Sequence, residues 1–162
     1  MLCVLGNRGA SGWELLVEVR HAVKNISSIA KLLKYENRDY GYFTMRRKSD
    51  GRVLLVYQIG ECPPEKAEKY MALSLEKSQR LFERHHDFGD ISSFQSRKPC
   101  KGMWGGAICL KDVIFSFSGL PELADEAVVL ATAFQLDVIS KRQIKRIIDI
   151  SNNHFAKEYF YG

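Results

Sequence analysis

The spacing of apolar residues between positions 13 and 34 predicts an amphipathic helix. Apolar or small side chains recur there at steps of three and four, and basic side chains fall on the other side. This periodicity is typical of a helix with one stripe packed against a core. The stripe consists of Leu16, Val19, Val23, Ile26, Ala30 and Leu33.

Two pairs of short apolar runs predict two β-hairpins. Residues 40–47 and 53–59 flank an Asp-Gly dipeptide, which is a strong hairpin signal between runs of β-forming residues. Residues 107–110 and 113–117 repeat the pattern around Lys111-Asp112. A largely antiparallel sheet is therefore expected.

Helical patterns follow each hairpin. Residues 65–83 have small side chains on the inward side, which indicates close approach to a sheet; that side comprises Ala67, Tyr70, Met71, Ser74, Ser78, Leu81 and Phe82.

Residues 85–103 lose the periodicity, and an irregular stretch of this length is often functional or mobile. A third helix is expected with Pro121 at its first position, and a fourth begins at Ser140 with a capping box that includes Gln143.

The order of these elements predicts one layered α+β domain over residues 1–162. Alternation of helices with hairpins suits a central, largely antiparallel sheet with flanking helices. No internal repeat, linker or low-complexity tract divides the chain. We expect residues 139–162 to form a helical extension at the C-terminal end of this domain.

Composition agrees with a globular protein. The chain has 162 residues, of which 46% are hydrophobic and 27% charged, and its net charge is +5. A mildly basic surface commonly serves solubility. The basic cluster Arg46-Arg47-Lys48 lacks the interleaved aromatic platform of a single-strand binder, and we expect no nucleic-acid partner.

Cysteine usage and hydropathy favour a cytoplasmic protein that does not enter a membrane. The four cysteines, Cys3, Cys62, Cys100 and Cys109, are scattered and form no CxxC pair. The first nine residues are too briefly apolar for a signal peptide, and no run approaches 18 apolar residues.

Candidate catalytic groups have simpler explanations. Asp125 and Glu126 lie in the first turn of the third predicted helix, where acids stabilise the free N–H groups. His85 and His86 are adjacent at a helix end, where positive charge is favourable, although imidazole is also a common haem ligand. No nucleophile with a base, no GxGxxG and no HExxH is present, so the sequence favours binding over catalysis and predicts no metal ligands and no catalytic residues.

The segment Trp104-Gly105-Gly106 is more informative. Glycine lets the backbone approach another group closely or adopt a positive φ. Two explanations for Gly105-Gly106 are therefore open: a tight turn at the start of the next strand, or a close contact with a ligand. Trp104, beside an irregular loop, is suited to cover a flat ligand.

Several short motifs resemble the GlcG/HbpS-like haem-binding family, which is related to the C-terminal domain of PduO. The family's Asp-Gly turn and strand resemble residues 48–54, and its helix of small residues resembles the helix from Glu65. Its GG…SGxxxxxDE ending resembles Gly105-Gly106, Ser118-Gly119 and Asp125-Glu126. The resemblance covers residues 13–138, but the stretch between Gly106 and Ser118 is shorter here and the tail is extra.

The resemblance implies a profilin-like fold, homo-oligomers and haem as cofactor. We expect ligand contacts at Trp104, Gly105, Gly106, Ser118 and Gly119. His85 or His86 is the candidate axial ligand, because imidazole is a common haem ligand. The leading hypothesis is therefore a small-molecule-binding protein, for haem or another tetrapyrrole. The alternative is an interaction or scaffold module that self-associates or binds a partner through the sheet and the C-terminal helix, with Phe155, Tyr159, Phe160 and Tyr161 exposed.

Overall fold

The computed structural model describes residues 40–162. The helix predicted over residues 13–34, together with Cys3 and His21, lies outside the described residues. The described elements, in chain order, are β1 Gly41–Arg47, β2 Val53–Ile59, α1 Pro64–Phe88, two short 3-10 turns at Ser93–Ser96 and Pro99–Lys101, β3 Ala107–Cys109, β4 Val113–Ser118, α2 Glu122–Gln135, α3 Lys141–Ser151 and α4 His154–Tyr161.

The four described strands form one antiparallel sheet in the order β2-β1-β4-β3. Both predicted hairpins are confirmed, and their first and last strands, β1 and β4, pair in the centre with Phe43 opposite Phe117. Gly51 in the first turn has φ +74°, which a glycine adopts without strain. The sheet thus joins two local hairpins through one long-range pairing.

One face of the sheet packs on α1 through small polar side chains. Ser74 of α1 donates a hydrogen bond to Thr44 Oγ1 at 2.9 Å and lies 3.0 Å from Ser116 Oγ. Arg46 Nε donates to Ser78 Oγ at 3.0 Å. The close approach that small residues predicted is confirmed, because two serines of α1 sit directly on the strands.

The opposite face is apolar and packs on α2. Side chains alternate between faces along a strand, and Phe43 and Phe115 project here with their ring centroids 5.0 Å apart. Ala127, Val128 and Leu130 of α2 belong to the same buried cluster. Burial of each large apolar side chain contributes roughly 1.5–3 kcal/mol, so this face carries much of the hydrophobic stabilisation. The predicted α+β class and layered, profilin-like arrangement are confirmed.

Two helix boundaries and the burial of one residue differ from the sequence-based expectations. α1 continues to Phe88, past the expected end at residue 83, and stops at Gly89 in a left-handed conformation with φ +73°. His85 and His86 therefore lie in the last helical turn, at the helix end where they were expected. Pro121 precedes α2 as its N-cap instead of occupying its first position, and Met71, expected inward, is exposed.

The C-terminal extension contains two helices. The capping box at Ser140 and Gln143 is confirmed, with both of its hydrogen bonds present. Asn152 then adopts φ +50°, which ends α3, and the Asn153 side chain accepts a hydrogen bond from Ala156 N to begin α4. Two consecutive asparagines thus break the tail, because asparagine tolerates the left-handed region and is a good N-cap.

Glu126 attaches this tail to the body. The buried carboxylate accepts hydrogen bonds from Ser92 Oγ at 2.5 Å, from Ser151 Oγ at 2.5 Å and from Asn153 Nδ2 at 3.0 Å. Burial raises its pKa, and these three donors oppose the shift. One side chain of α2 therefore joins the first 3-10 turn, the end of α3 and the start of α4.

We predict that Glu126→Leu destabilises the protein by about 3 kcal/mol, because the change keeps a similar volume but leaves three buried donors without their acceptor. Urea unfolding followed by circular dichroism measures the loss. Glu158→Leu, the same substitution at an exposed position of α4, should change the unfolding free energy by less than about 0.5 kcal/mol. Equal effects of the two substitutions would show that Glu126 does not hold the tail.

Candidate functional site

The two glycine-containing motifs flank the second hairpin. Gly105-Gly106 immediately precedes β3, and Ser118 ends β4 with Gly119 directly after it. Phe117 N donates to Gly106 O at 3.0 Å, and Ala107 pairs with Ser116. The second hairpin therefore brings the two motifs together at one end of its paired strands.

A cleft of about 470 Å³ opens at this end of the sheet. We call it the Trp104 cleft. It lies between α1, the end of β4 and the start of α2. Its apolar and aromatic walls are Tyr70, Leu73, Trp104, Leu120 and Pro121, and its polar groups are Lys69, Lys77, Ser118, Glu122 and Asp125.

A buried ion pair forms the floor of the Trp104 cleft. Lys77 Nζ lies 2.8 Å from Asp125 Oδ2, and each side chain is 2% exposed. Lys77 Nζ also donates to Phe117 O at 3.0 Å, and Asp125 Oδ1 accepts from Leu120 N at 2.9 Å. Burial raises the pKa of Asp125 to about 6, against the opposing effect of the Lys77 charge and of backbone donors. The pair bridges α1, on one face of the sheet, to α2, on the other.

Arg80 fixes the loop that carries Trp104. Its guanidinium donates to Trp104 O at 2.6 Å, to Ser93 O at 3.0 Å and to Ser96 Oγ at 2.7 Å. Glu76, one turn earlier on α1, accepts from Arg80 Nε at 2.7 Å. The irregular segment is therefore held by a charged side chain that contacts its backbone at two separate places.

Glu122 holds the other side of the loop. Its Oε2 accepts from Gly105 N at 2.8 Å, and Arg97 pairs with the same carboxylate. Arg97 also lies over the ring of Phe94, 5.1 Å from its centroid. The first residue of α2 thereby positions the backbone next to Trp104.

Gly106 is required by the ion pair. A Cβ at this position would lie 2.8 Å from Asp125 Cβ, 2.9 Å from Lys77 Nζ and 3.0 Å from Phe117 O, and the residue has φ +118°. Gly119 is similarly crowded by the backbone of Tyr40. Close packing accounts for both glycines, so they shape the cleft through the backbone, while Trp104 and Ser118 line it.

We predict that Gly106→Ala is more destabilising than Gly102→Ala, which makes a matched control. Gly102 also has a positive φ, +67°, but nothing lies within 4 Å of its added Cβ. The control should lose about 1 kcal/mol from backbone strain alone. Gly106→Ala should lose at least about 2 kcal/mol more, because its Cβ overlaps the ion pair. Chemical unfolding of both variants measures the difference, and equal losses would refute the steric role.

The two histidines predicted as ligand residues lie away from the Trp104 cleft. His85 lines a second cleft of about 570 Å³, the His85 cleft, together with Lys48, Ile91, Cys109 and Ile139. Its Nδ1 lies 2.8 Å from Asp90 O. His86 is 82% exposed and contacts only its neighbour Asp87 among the described residues. The predicted site residues are thus divided between two clefts and the open surface.

The His85 cleft has apolar walls and basic groups. Ile91, Leu110, Val138 and Ile139 line it, and Lys48 Nζ donates to Leu110 O at 3.0 Å. Burial raises the pKa of the Cys109 thiol to about 12, against the opposing Lys48 charge. A thiol with so high a pKa is neutral at physiological pH and is a poor nucleophile or metal ligand.

A haem fits these two clefts unequally. The described lining of the Trp104 cleft contains no histidine, cysteine or methionine. In the His85 cleft, the contact between His85 Nδ1 and a backbone carbonyl assigns the ring proton to Nδ1, which leaves the Nε2 lone pair available for a metal. Residues 40–162, the His85 cleft included, contain no cluster of three or more His, Cys, Asp or Glu suited to a metal ion.

Some of the aromatic side chains of the tail pack against the rest of the fold. Phe155 and Phe160 pack against the core, and the Phe160 ring centroid lies 5.6 Å from that of Phe134. Phe134 and Tyr161 remain 41% and 55% exposed. The apolar contact surface expected of the tail is therefore smaller than the sequence predicted.

Sequence reasoning missed the charged floor of the Trp104 cleft. Asp125 was explained by the free N–H groups of a helix terminus, and it does accept a backbone N–H, but its main partner is Lys77. One signal was available: Lys77 lies between Ser74 and Ser78 on the inward side of α1. A lysine on a buried stripe needs a partner, although the sequence does not show which one.

No family model matches the chain, and no curated protein matches it. Among solved structures, the chain is similar to the crystal structure of Klebsiella pneumoniae protein ORFY, which carries the family description DUF336. The TM-score is 0.44 and the sequence identity 13%, with 75% of this chain and 91% of that chain covered. The fold assignment above rests on the strand order and packing of this chain.

Within residues 40–162, no helix combines the length and the apolar character that a membrane crossing requires.

Proposed function

We propose that the protein binds a small molecule in the Trp104 cleft. The observation that carries the proposal is the Lys77–Asp125 ion pair at the floor of a concave site with aromatic walls. Ligand sites are commonly clefts of roughly 300–1,000 Å³ that combine apolar walls with a few convergent polar groups. A shifted carboxyl pKa in such a cleft supports a functional role further.

The hydrogen bonds of the polar groups in the Trp104 cleft favour binding over catalysis. Both oxygens of Asp125 accept hydrogen bonds, from Lys77 and from the backbone of Leu120. The hydroxyl of Ser118 shares the described lining of the cleft with no histidine or cysteine. Lys77, Glu122 and Asp125 are potential bases in the same lining, but their hydrogen bonds go to other described partners than Ser118 Oγ. Ser118 therefore has no hydrogen-bonded base among these residues, whereas donors and aromatic surface for recognition are present.

The test is a screen of aromatic fragments against isotopically labelled protein by NMR. We expect at least one fragment to shift the indole N–H signal of Trp104 and the amide signals of Leu73 and Leu120. Trp104→Ala should abolish the shifts of the Leu73 and Leu120 amide signals. Phe88→Ala, which removes an aromatic side chain that is 68% exposed on α1, should preserve all of the shifts. Shifts that cluster elsewhere, or none at all, would reject the Trp104 cleft as a ligand site.

We propose separately that a haem or another tetrapyrrole, if bound, occupies the His85 cleft. The Nδ1 contact with Asp90 O supports His85 as an axial ligand, since metal-binding histidines usually donate their other ring N–H to a carbonyl or carboxylate. Apolar walls suit the macrocycle, and Lys48 and Lys111 at the cleft suit its carboxylates. The bound haem would supply a redox-active or ligand-binding iron.

Titration with hemin distinguishes this proposal from binding at the other sites. We expect a shifted Soret band that His85→Ala abolishes and that both His86→Ala and Trp104→Ala retain. His86→Ala is a matched control because it removes an imidazole from the same helical turn. No spectral shift at micromolar protein, or a shift that survives His85→Ala, would overturn the assignment.

A further inference from the structure

The ammonium group of Lys77 has a hydrogen bond left to give. A lysine ammonium carries three N–H donors. Among the described residues, Lys77 Nζ donates to Phe117 O and to Asp125 Oδ2 only. The backbone of Gly106 closely covers another side of this nitrogen, because a Cβ there would lie 2.9 Å from Nζ. Since Lys77 lines the cleft, its third N–H is the donor that remains for a ligand.

The charge around this donor selects what it binds. Lys77 and Asp125 neutralise each other, so the floor is neutral as a unit. A carboxylate buried there would face the carboxylate of Asp125, and repulsion in a site of low dielectric is costly. A neutral oxygen acceptor avoids this repulsion and still satisfies the free donor. The floor therefore suits a carbonyl oxygen.

The open end of the cleft, unlike the neutral floor, carries a net positive charge. Glu122 pairs with Arg97, and Asp125 pairs with Lys77. Lys69 is exposed and takes part in no salt bridge with another described residue. With Arg97 counted beside Glu122, each acidic group of the lining is paired, and Lys69 is the positive group left over, at the rim. This charge favours a ligand with a single negative charge at its solvent end.

The positions of the two lysines along α1 indicate the approximate length of the ligand. Both belong to α1, and eight residues of helix separate them by about 12 Å along its axis. Tyr70 and Leu73 lie between them on the cleft wall, with Trp104 also lining the cleft. Aromatic side chains bind flat rings by stacking and edge contacts. A bicyclic ring system with polar groups at its two ends matches this spacing.

We propose that the Trp104 cleft recognises a planar aromatic carboxylate that also carries a carbonyl group. The carbonyl oxygen accepts from Lys77 at the floor, the rings lie against Trp104 and Tyr70, and the carboxylate pairs with Lys69 at the rim. This assignment rests on the proposed function of the cleft, and it adds the chemical class and the orientation of the ligand.

Three synthetic probes test the two ends of the ligand separately on the unaltered protein. They are 6-acetyl-2-naphthoate, its 2-carboxamide analogue, and 6-isopropenyl-2-naphthoate, in which a CH₂ group replaces the carbonyl oxygen. NMR titration of the Trp104 indole signal gives each Kd. The first probe should bind about tenfold more tightly than the isopropenyl probe, which lacks the acceptor for Lys77. It should bind about threefold to fivefold more tightly than the carboxamide, which lacks the charge for Lys69.

Variants then assign the rim contact. Lys69→Gln should remove the preference for the carboxylate over the carboxamide and keep the preference for acetyl over isopropenyl. Lys157→Gln, at an exposed lysine of α4, should change neither preference. The floor contact needs no variant, because the acetyl and isopropenyl probes differ only in the acceptor atom.

The outcomes separate the inference from the proposed function. Equal affinity for the acetyl and isopropenyl probes overturns the floor contact, and equal affinity for the carboxylate and carboxamide overturns the rim contact. If the three naphthalenes leave Trp104 unaffected while another fragment shifts it, the ligand class is wrong and the cleft remains a binding site. If no fragment shifts Trp104, both conclusions are wrong.

Discussion

The Lys77–Asp125 ion pair is the contact on which the arrangement of this domain depends. Two charges can be buried only when each is paired and hydrogen-bonded, and both are here. Their meeting requires a backbone without a side chain at Gly106 and a strand β3 that begins only after it. The glycine pair, the end of β4 and the start of α2 are therefore parts of one junction, and the Trp104 cleft is its solvent-facing side.

A second buried carboxylate, at the next residue of α2, performs a comparable task. Asp125 faces α1, whereas the adjacent Glu126 faces the tail and the first 3-10 turn. Two consecutive acids thus organise opposite sides of α2. Both carry raised pKa values because of burial, and both are stabilised by donors that come from distant parts of the chain.

Local patterns in the sequence were sufficient to predict the hairpins, the capping box at Ser140 and the α+β class, since each depends on residues close in the chain. The floor of the cleft was not predictable in this way. Lys77 and Asp125 are 48 positions apart, and only packing brings them together. His85 illustrates the same limit: Gly89 determines where α1 ends, and the helix then directs His85 to a different cleft from Trp104.

Helices on opposite faces of a sheet ordinarily influence each other only through the strands between them. In this protein β3 is three residues long. Just before its first residue, Lys77 of one helical layer contacts the carboxylate of Asp125 in the other. The two helices are thus in direct contact, with no strand between them at this point. If a residue with a side chain extended β3 at its start, that side chain would separate Lys77 from Asp125, and the two helical layers would lose their direct contact.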